Sequence, residues 1–227
     1  MNVEETCEEV RKLLRLTKEP SQPRGDKDAG VLILLRKIGS EFEVFLCVRA
    51  MTLRKHPGEV CFPGGMMDEN DIDLQQTAMR EAEEEVGLRS EDCVLLGSLP
   101  SFMARFGILI HPTVAFLTRD FKPIPNPEEV SSTFWFPLRR FLDENEHVSF
   151  PIDDGYSVHS YHFTDAPHTF GVTALMCLTV SIGLCQTRPP FDVFPSITVH
   201  QMQSLSPEDV MDRIFGKASS RFKNSKL

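Results

Sequence analysis

Paired cysteines, basic charge and long apolar runs are all scarce in this chain of 227 residues. Cys7, Cys47, Cys61, Cys93, Cys177 and Cys185 are scattered, and none belongs to a C-x-x-C pair. Zinc-finger and dithiol chemistry therefore lose their usual spacing. Free thiols in a reducing compartment are expected instead, mostly as small buried apolar residues. Lys and Arg number 24 against 33 Asp and Glu, a net charge of −9. Nucleic acid and anionic membranes are held by a basic footprint, so neither is expected as a partner. A local basic pocket for a phosphorylated small molecule stays open. The longest apolar run, Val172 to Cys185, contains Thr and Ser and falls short of the roughly 20 residues that span a bilayer. It is expected to be a packed helix. The first twenty residues are charged throughout, unlike a secretory leader. No internal repeat or low-complexity tract is visible.

What is present suits one domain of ordinary size. Residues 3–17 carry Val3, Cys7, Val10 and Leu14 at helical spacing. A polar connector follows over 18–30, with Pro and Gly. Residues 30–38 and 40–50 read as an antiparallel strand pair turning at Gly39-Ser40. Residues 51–65 are irregular, and 74–86 form a helix. Strand-like runs follow over 93–100, 108–118, 132–138, 147–150 and 158–163. Helices are expected over 172–185 and 206–217, the second with Ser206 as N-cap and Pro207 at its first position. Strict β–α alternation is absent, which argues for a sandwich with a mixed sheet over a doubly wound one.

The stretch MREAEEEVGL, residues 79–88, holds four glutamates. Asp73 and Gln76 form a capping-box-like start, and Gly87 is a natural stop. At about 100° per residue, with Glu81 at zero, Glu84 falls at about 300° and Glu85 at about 40°. Those three share one arc. Glu83 falls at about 200°, while Met79, Ala82 and Val86 lie between about 100° and 160° and can face a core. The shared arc costs a few tenths of a kcal/mol per repelling pair, and more against the helix dipole. Two readings remain: a solvated acidic face, or oxygen ligands for a hard divalent cation beside the Gly64-Gly65 turn.

The segment GGMMDENDIDLQQTAMREAEEEVGL resembles the Nudix hydrolase box. Arg80, Glu81, Ala82, Glu84, Glu85, Gly87 and Leu88 match its second half at every fixed position. In the first half, the loop counted from Gly65 is one residue longer than the general pattern. Asp73 stands where glutamate is usual and is read mainly as a cap. Upstream, FLCVRAMTLRKHPGEVCFPGG resembles the signature of the coenzyme A diphosphatase branch. Arg49, Ala50, Arg54, Gly58, Phe62, Pro63, Gly64 and Gly65 match, and Phe45 and Cys47 depart. The resemblance runs from about residue 28 to 185.

It implies an α/β (α+β) fold: a Nudix-type α/β/α sandwich with a mixed β-sheet and an acidic catalytic helix. The implied reaction is Mg²⁺- or Mn²⁺-dependent hydrolysis of the diphosphate bond of coenzyme A and its acyl esters, to 3′,5′-ADP and 4′-phosphopantetheine or its acyl form. Carried over by position, Glu81 and Glu85 are metal ligands, Glu84 serves as ligand or in catalysis, and the Gly64 carbonyl joins them. Arg80 orients the glutamates. Glu129, or its neighbour Glu128, is the candidate general base, the alternative being that both are loop charges. Arg49, Arg54 and Lys55 are candidate substrate contacts; Arg49 and Arg54 could instead brace the loop against the acidic helix. Competing functions are hydrolysis of another diphosphate, such as ADP-ribose, a dinucleotide or an RNA cap, and a catalytically silent binding module. His111 is expected as a satisfied core residue. His159 and His162 cannot share one strand face, so a metal pair there is rejected.

The expected organisation is an N-terminal helix and linker over 1–25, a Nudix domain over 26–185, and an extension over 186–227. That extension ends in Ser225-Lys226-Leu227, a tripeptide read by the peroxisomal import receptor. Peroxisomal location is expected.

Overall fold

The computed structural model describes residues 2–224 apart from Pro20, Asp26, Arg105, Phe106 and Asp154. The Ser225-Lys226-Leu227 tripeptide lies outside the described residues.

One long hairpin organises the chain. Strand β1 (Asp28–Ile38) pairs antiparallel with β2 (Glu41–Arg49) from Leu35↔Val44 to Ile38↔Glu41. The turn sits at Gly39-Ser40, as its residues suggest. Below that register the two strands diverge, and β1 pairs instead with β4 (Gly64–Met66). On its other edge β1 runs parallel to β7 (Leu109–Leu117). Short β3 (Val60–Cys61) and the longer β8 (Val130–Pro137) flank β2. With β5 (Cys93–Ser98) and β6 (Phe102–Met103) on β7, the sheet has eight strands and is mixed. The stretch 51–65, irregular by composition, thus contributes two short strands that only long-range pairing stabilises.

Alternation along β1 sends its side chains to opposite layers. Leu32 and Leu34 meet Ala78, Ala82 and Val86 of α2 (Leu74–Val86) on one face. Ile33 and Leu35 face a larger core built by α1 (Val3–Leu13), α3 (Gly171–Cys185) and α5 (Pro207–Asn224). This is the expected α/β/α sandwich. Cys7, Val10 and Leu14 share that core with Val210, Met211 and Ile214. Helix α1 stops before residue 17 because Arg15 is left-handed, with φ 49°, and Thr17 then bridges to Ser98.

A second sheet, order β11-β10-β9, packs on α3; its strands are β9 (His147–Asp153), β10 (Tyr156–Tyr161) and β11 (Thr169–Phe170). Eleven residues of α3 are buried, from Ala174 to Leu184. Its two buried hydroxyls are satisfied by carbonyls: Thr179 donates to Leu175 O, and Ser181 lies against Leu138 O and Cys177 O. Among the described residues, no helix is long and apolar enough to cross a membrane. All six cysteines are free, four of them buried.

Candidate active site

Helix α2 is fixed at both ends by its own sequence. Asp73 accepts from the Gln76 amide at 2.9 Å, and the Gln76 side chain takes the Ile72 amide at 2.6 Å. Gly87 ends the helix in the left-handed region, φ 72°, where a Cβ would strain the backbone. A second device closes the C-terminus. The loop over 121–129 folds back so that Ile124 N donates to Val86 O at 2.9 Å and Asn126 N to Glu85 O at 2.8 Å. Carbonyls that a helix end leaves without partners are thereby paired.

The glycine turn brings β4 against the helix. A Cβ on Gly65 would lie 2.5 Å from the Glu81 carboxyl carbon, so only glycine lets that carboxylate rest on the backbone. Next to it, Gly64 N donates to Glu85 Oε2 at 3.1 Å. Glu85 is 4 % exposed. Burial, with Glu81 and Glu129 nearby, pushes its carboxyl up to about 8, against relief from Gly64 and Arg49. Glu81 is also raised, mainly by burial. Glu129 is therefore close enough for its charge to be felt by both glutamates. Glu128 is exposed and its amide turns to Asn126 Oδ1.

Arg80 does not simply lie on the surface. Its Nε and Nη2 grip both oxygens of Asp71 at 3.0 and 2.9 Å, and its Nη1 reaches Glu81 at 3.0 Å and Glu84 at 3.2 Å. Asp71 also accepts from the Thr77 hydroxyl and the Asp68 amide. The Arg80 hydrogen bonds hold the Asp71 carboxyl at about 2. Asp71 is a site residue beyond those expected from the sequence. The acid that meets Arg80 is Asp71, and Asp73 serves as the cap. The available signal was spacing, since five residues separate Gly65 from Asp71. The extra residue of this segment falls after Asp71, where Ile72 stands exposed.

The three glutamates of the arc therefore divide. Glu81 and Glu85 converge on the glycine turn. Glu84 is directed to Arg80, with its side chain 56 % exposed. Among the described residues, no three His, Cys, Asp or Glu side chains stand ready to hold one ion. A hard cation such as Mg²⁺ still fits, because it commonly takes one or two carboxylates and keeps waters and phosphate oxygens as its other ligands. A buried carboxylate with its affinity for protons raised this far is a donor that lacks a compensating positive charge.

Arg49, at the end of β2, reaches this layer: its charge acts on Glu85 and Cys61, and its Nε is buried without a hydrogen-bond partner. Arg54 and Lys55 are exposed on the loop beyond it. That loop is tied to the Glu129 segment, since Ala50 N donates to Glu129 O at 2.8 Å.

A family model described as the NUDIX domain matches residues 26–153. A peroxisomal coenzyme A diphosphatase of Caenorhabditis elegans, ndx-8, is 46% identical over 221 residues, 95% of this chain and 94% of that one. A mouse peroxisomal coenzyme A diphosphatase, NUDT7, is 32% identical, with 72% of each chain covered. Among solved structures, a MutT/nudix family protein from Enterococcus faecalis is similar at TM-score 0.48 and 16% identity, covering 80% of this chain and 68% of that one.

Proposed function

The chain belongs to the NUDIX domain family, and from that premise we propose how its residues divide the work of diphosphate cleavage. It is a Nudix hydrolase whose reaction is hydrolysis of the diphosphate bond of coenzyme A, and it is peroxisomal. Likeness to a coenzyme A diphosphatase over nearly the whole of both chains supports this substrate. Acyl-coenzyme A esters, which carry the same diphosphate, are proposed as further substrates. Residues 26–185 are taken as the catalytic unit, with 1–25 and 186–227 as extensions.

The reaction uses a divalent metal, as Nudix hydrolases do. Mg²⁺ or Mn²⁺ is the proposed identity, because the donors are oxygens. Once bound, such a cation neutralises phosphate oxygens and lowers the pKa of water beside it. Glu81 and Glu85 would hold it, with Glu84 and the Gly64 carbonyl as further ligands. Arg80 keeps Glu81 and Glu84 oriented through charge-assisted hydrogen bonds while Asp71 fixes the guanidinium. Glu129 would take the proton from the attacking water, with Glu128 as the alternative. Arg49, Arg54 and Lys55 would contact the diphosphate and the 3′-phosphate, for which guanidinium forks are suited.

The observation that carries this assignment is the buried Glu85 carboxylate, held by the Gly64 amide and facing Glu81 and Glu129. The test is product analysis after incubation with coenzyme A and Mg²⁺. Release of 3′,5′-ADP and 4′-phosphopantetheine is expected. Faster turnover of ADP-ribose at matched concentration would overturn the substrate. Ser225-Lys226-Leu227 is the proposed import address; deleting it should leave a tagged protein outside peroxisomes.

A further inference from the structure

Away from the acidic helix, three residues from distant parts of the chain meet in one line. Strand β6 pairs with β7 at Phe102↔Ile110, so Ser101, one residue earlier, stands across from His111. On the other edge of β7, His111 is registered with Gly30 of β1, two residues past Asp28. Side chains two apart on a strand share a face. His111 Nε2 lies 2.5 Å from Asp28 Oδ1, and Ser101 Oγ lies 3.0 Å from His111 Nδ1. Asp28 and His111 are 3 % and 1 % exposed, whereas Ser101 is partly exposed.

The proton positions follow from the donors available. Asp28 Oδ2 already accepts the amides of Arg24 at 3.0 Å and Gly25 at 2.7 Å, the setting of an ionised carboxylate. A carboxylate only accepts, so His111 Nε2 carries the hydrogen. Nδ1 is then a lone pair, and the Ser101 hydroxyl donates to it. Burial lowers the pKa of His111, against the opposing pull of Asp28, the direction that favours the neutral ring. A hydroxyl on a neutral imidazole that is oriented by a buried carboxylate has the elements that activate a serine nucleophile. Here the two ring nitrogens are exchanged relative to the usual triad: the carboxylate sits on Nε2 and the serine on Nδ1. The diphosphate chemistry described above uses none of the three.

We propose that Ser101, His111 and Asp28 form a second, metal-independent hydrolytic centre that takes acyl esters and thioesters. Ser101 Oγ bonds to the acyl carbonyl carbon and its proton passes to His111 Nδ1. Collapse breaks the carbon–sulfur or carbon–oxygen bond, and that proton leaves with the thiol or alcohol. Water then attacks the acyl-serine, gives a proton to Nδ1, and releases the acid as the proton returns to Oγ. The net reaction is ester or thioester plus water to acid plus thiol or alcohol. Such a centre would act on the acyl end of a molecule, opposite in character to the phosphate end.

The full chain in EDTA, which silences the metal site, is exposed to a fluorophosphonate probe and mapped by mass spectrometry. Hydrolysis of S-acetyl-N-acetylcysteamine, a thioester without a diphosphate, is followed by thiol release. One phosphonyl group on Ser101 is expected. Thiol release should fall at least about tenfold in Ser101→Ala, while Mg²⁺-dependent cleavage of coenzyme A is unchanged in that variant. The retained cleavage shows that the variant is folded. Absence of label on Ser101 in protein active on coenzyme A, or thiol release equal to the parent in Ser101→Ala, overturns the proposal.

Discussion

Replacing Glu85 by Gln should stabilise the metal-free protein while abolishing its chemistry. The side chain is 4 % exposed and, among the described residues, accepts one hydrogen bond, from Gly64 N at 3.1 Å, which a Gln carbonyl can also accept. Its carboxyl titrates at about 8 in the fold against 4.5 ordinarily. Because the folded value is raised, this group's stabilisation is fully present below 4.5 and is lost as pH rises through about 8. Each pH unit in that window costs about 1.4 kcal/mol. The loss is about 3 kcal/mol by pH 7 and about 5 kcal/mol by pH 8 and above, a large share of the usual 5–15 kcal/mol of a domain. The assay is urea unfolding in EDTA from pH 4.5 to 8.5, for both proteins. Their difference cancels groups common to both and should grow in favour of Glu85→Gln with pH. Adding Mn²⁺ at pH 8 should stabilise the parent and release about half a proton per site, since a carboxyl at about 8 is half protonated there, but leave the variant unmoved. A pH-independent difference, or a variant less stable than its parent at pH 8, would refute the reasoning.

Three further outcomes follow from the same geometry. Asp71→Asn removes the charge that Arg80 grips from a side chain 3 % exposed; urea unfolding should show a loss of about 2 kcal/mol, discounted because Arg80 is partly exposed. Steady-state kinetics on that variant should show a lower kcat with little change in KM. Gly65→Ala would force the Glu81 carboxylate off the turn, and since misplacement by an ångström can cost about 100-fold, kcat should drop by that order while circular dichroism is unchanged. His147 and His159 are held down to about 4 and about 3, chiefly by burial. Their ring resonances should not titrate between pH 8 and 5; because both are neutral in the fold, their stabilisation is present above 6.5 and lost as pH falls toward 4 and 3. A midpoint near 6.5 for either ring would contradict the burial argument.

Some of this was legible in the chain itself because helical and strand periodicities are local. The arc of Glu81, Glu84 and Glu85, the Asp73 cap, the Gly87 stop and the β1–β2 hairpin each depend on residues a few positions apart. The Nudix box and the glycine turn were readable for the same reason, as runs with fixed spacing. Tertiary structure decided which members of the arc face the turn. Arg80 takes Glu84 outward, and it can do so only because Asp71, nine residues away, holds its other edge. Glu129 comes within reach of Glu81 because the loop before it pairs with the open carbonyls of α2. Ser101, His111 and Asp28 align only through the registers of β6, β7 and β1, which no local pattern encodes. Spacing along the backbone fixes which side chains share a face; which faces then meet depends on strand order and register, set by burial across the whole fold.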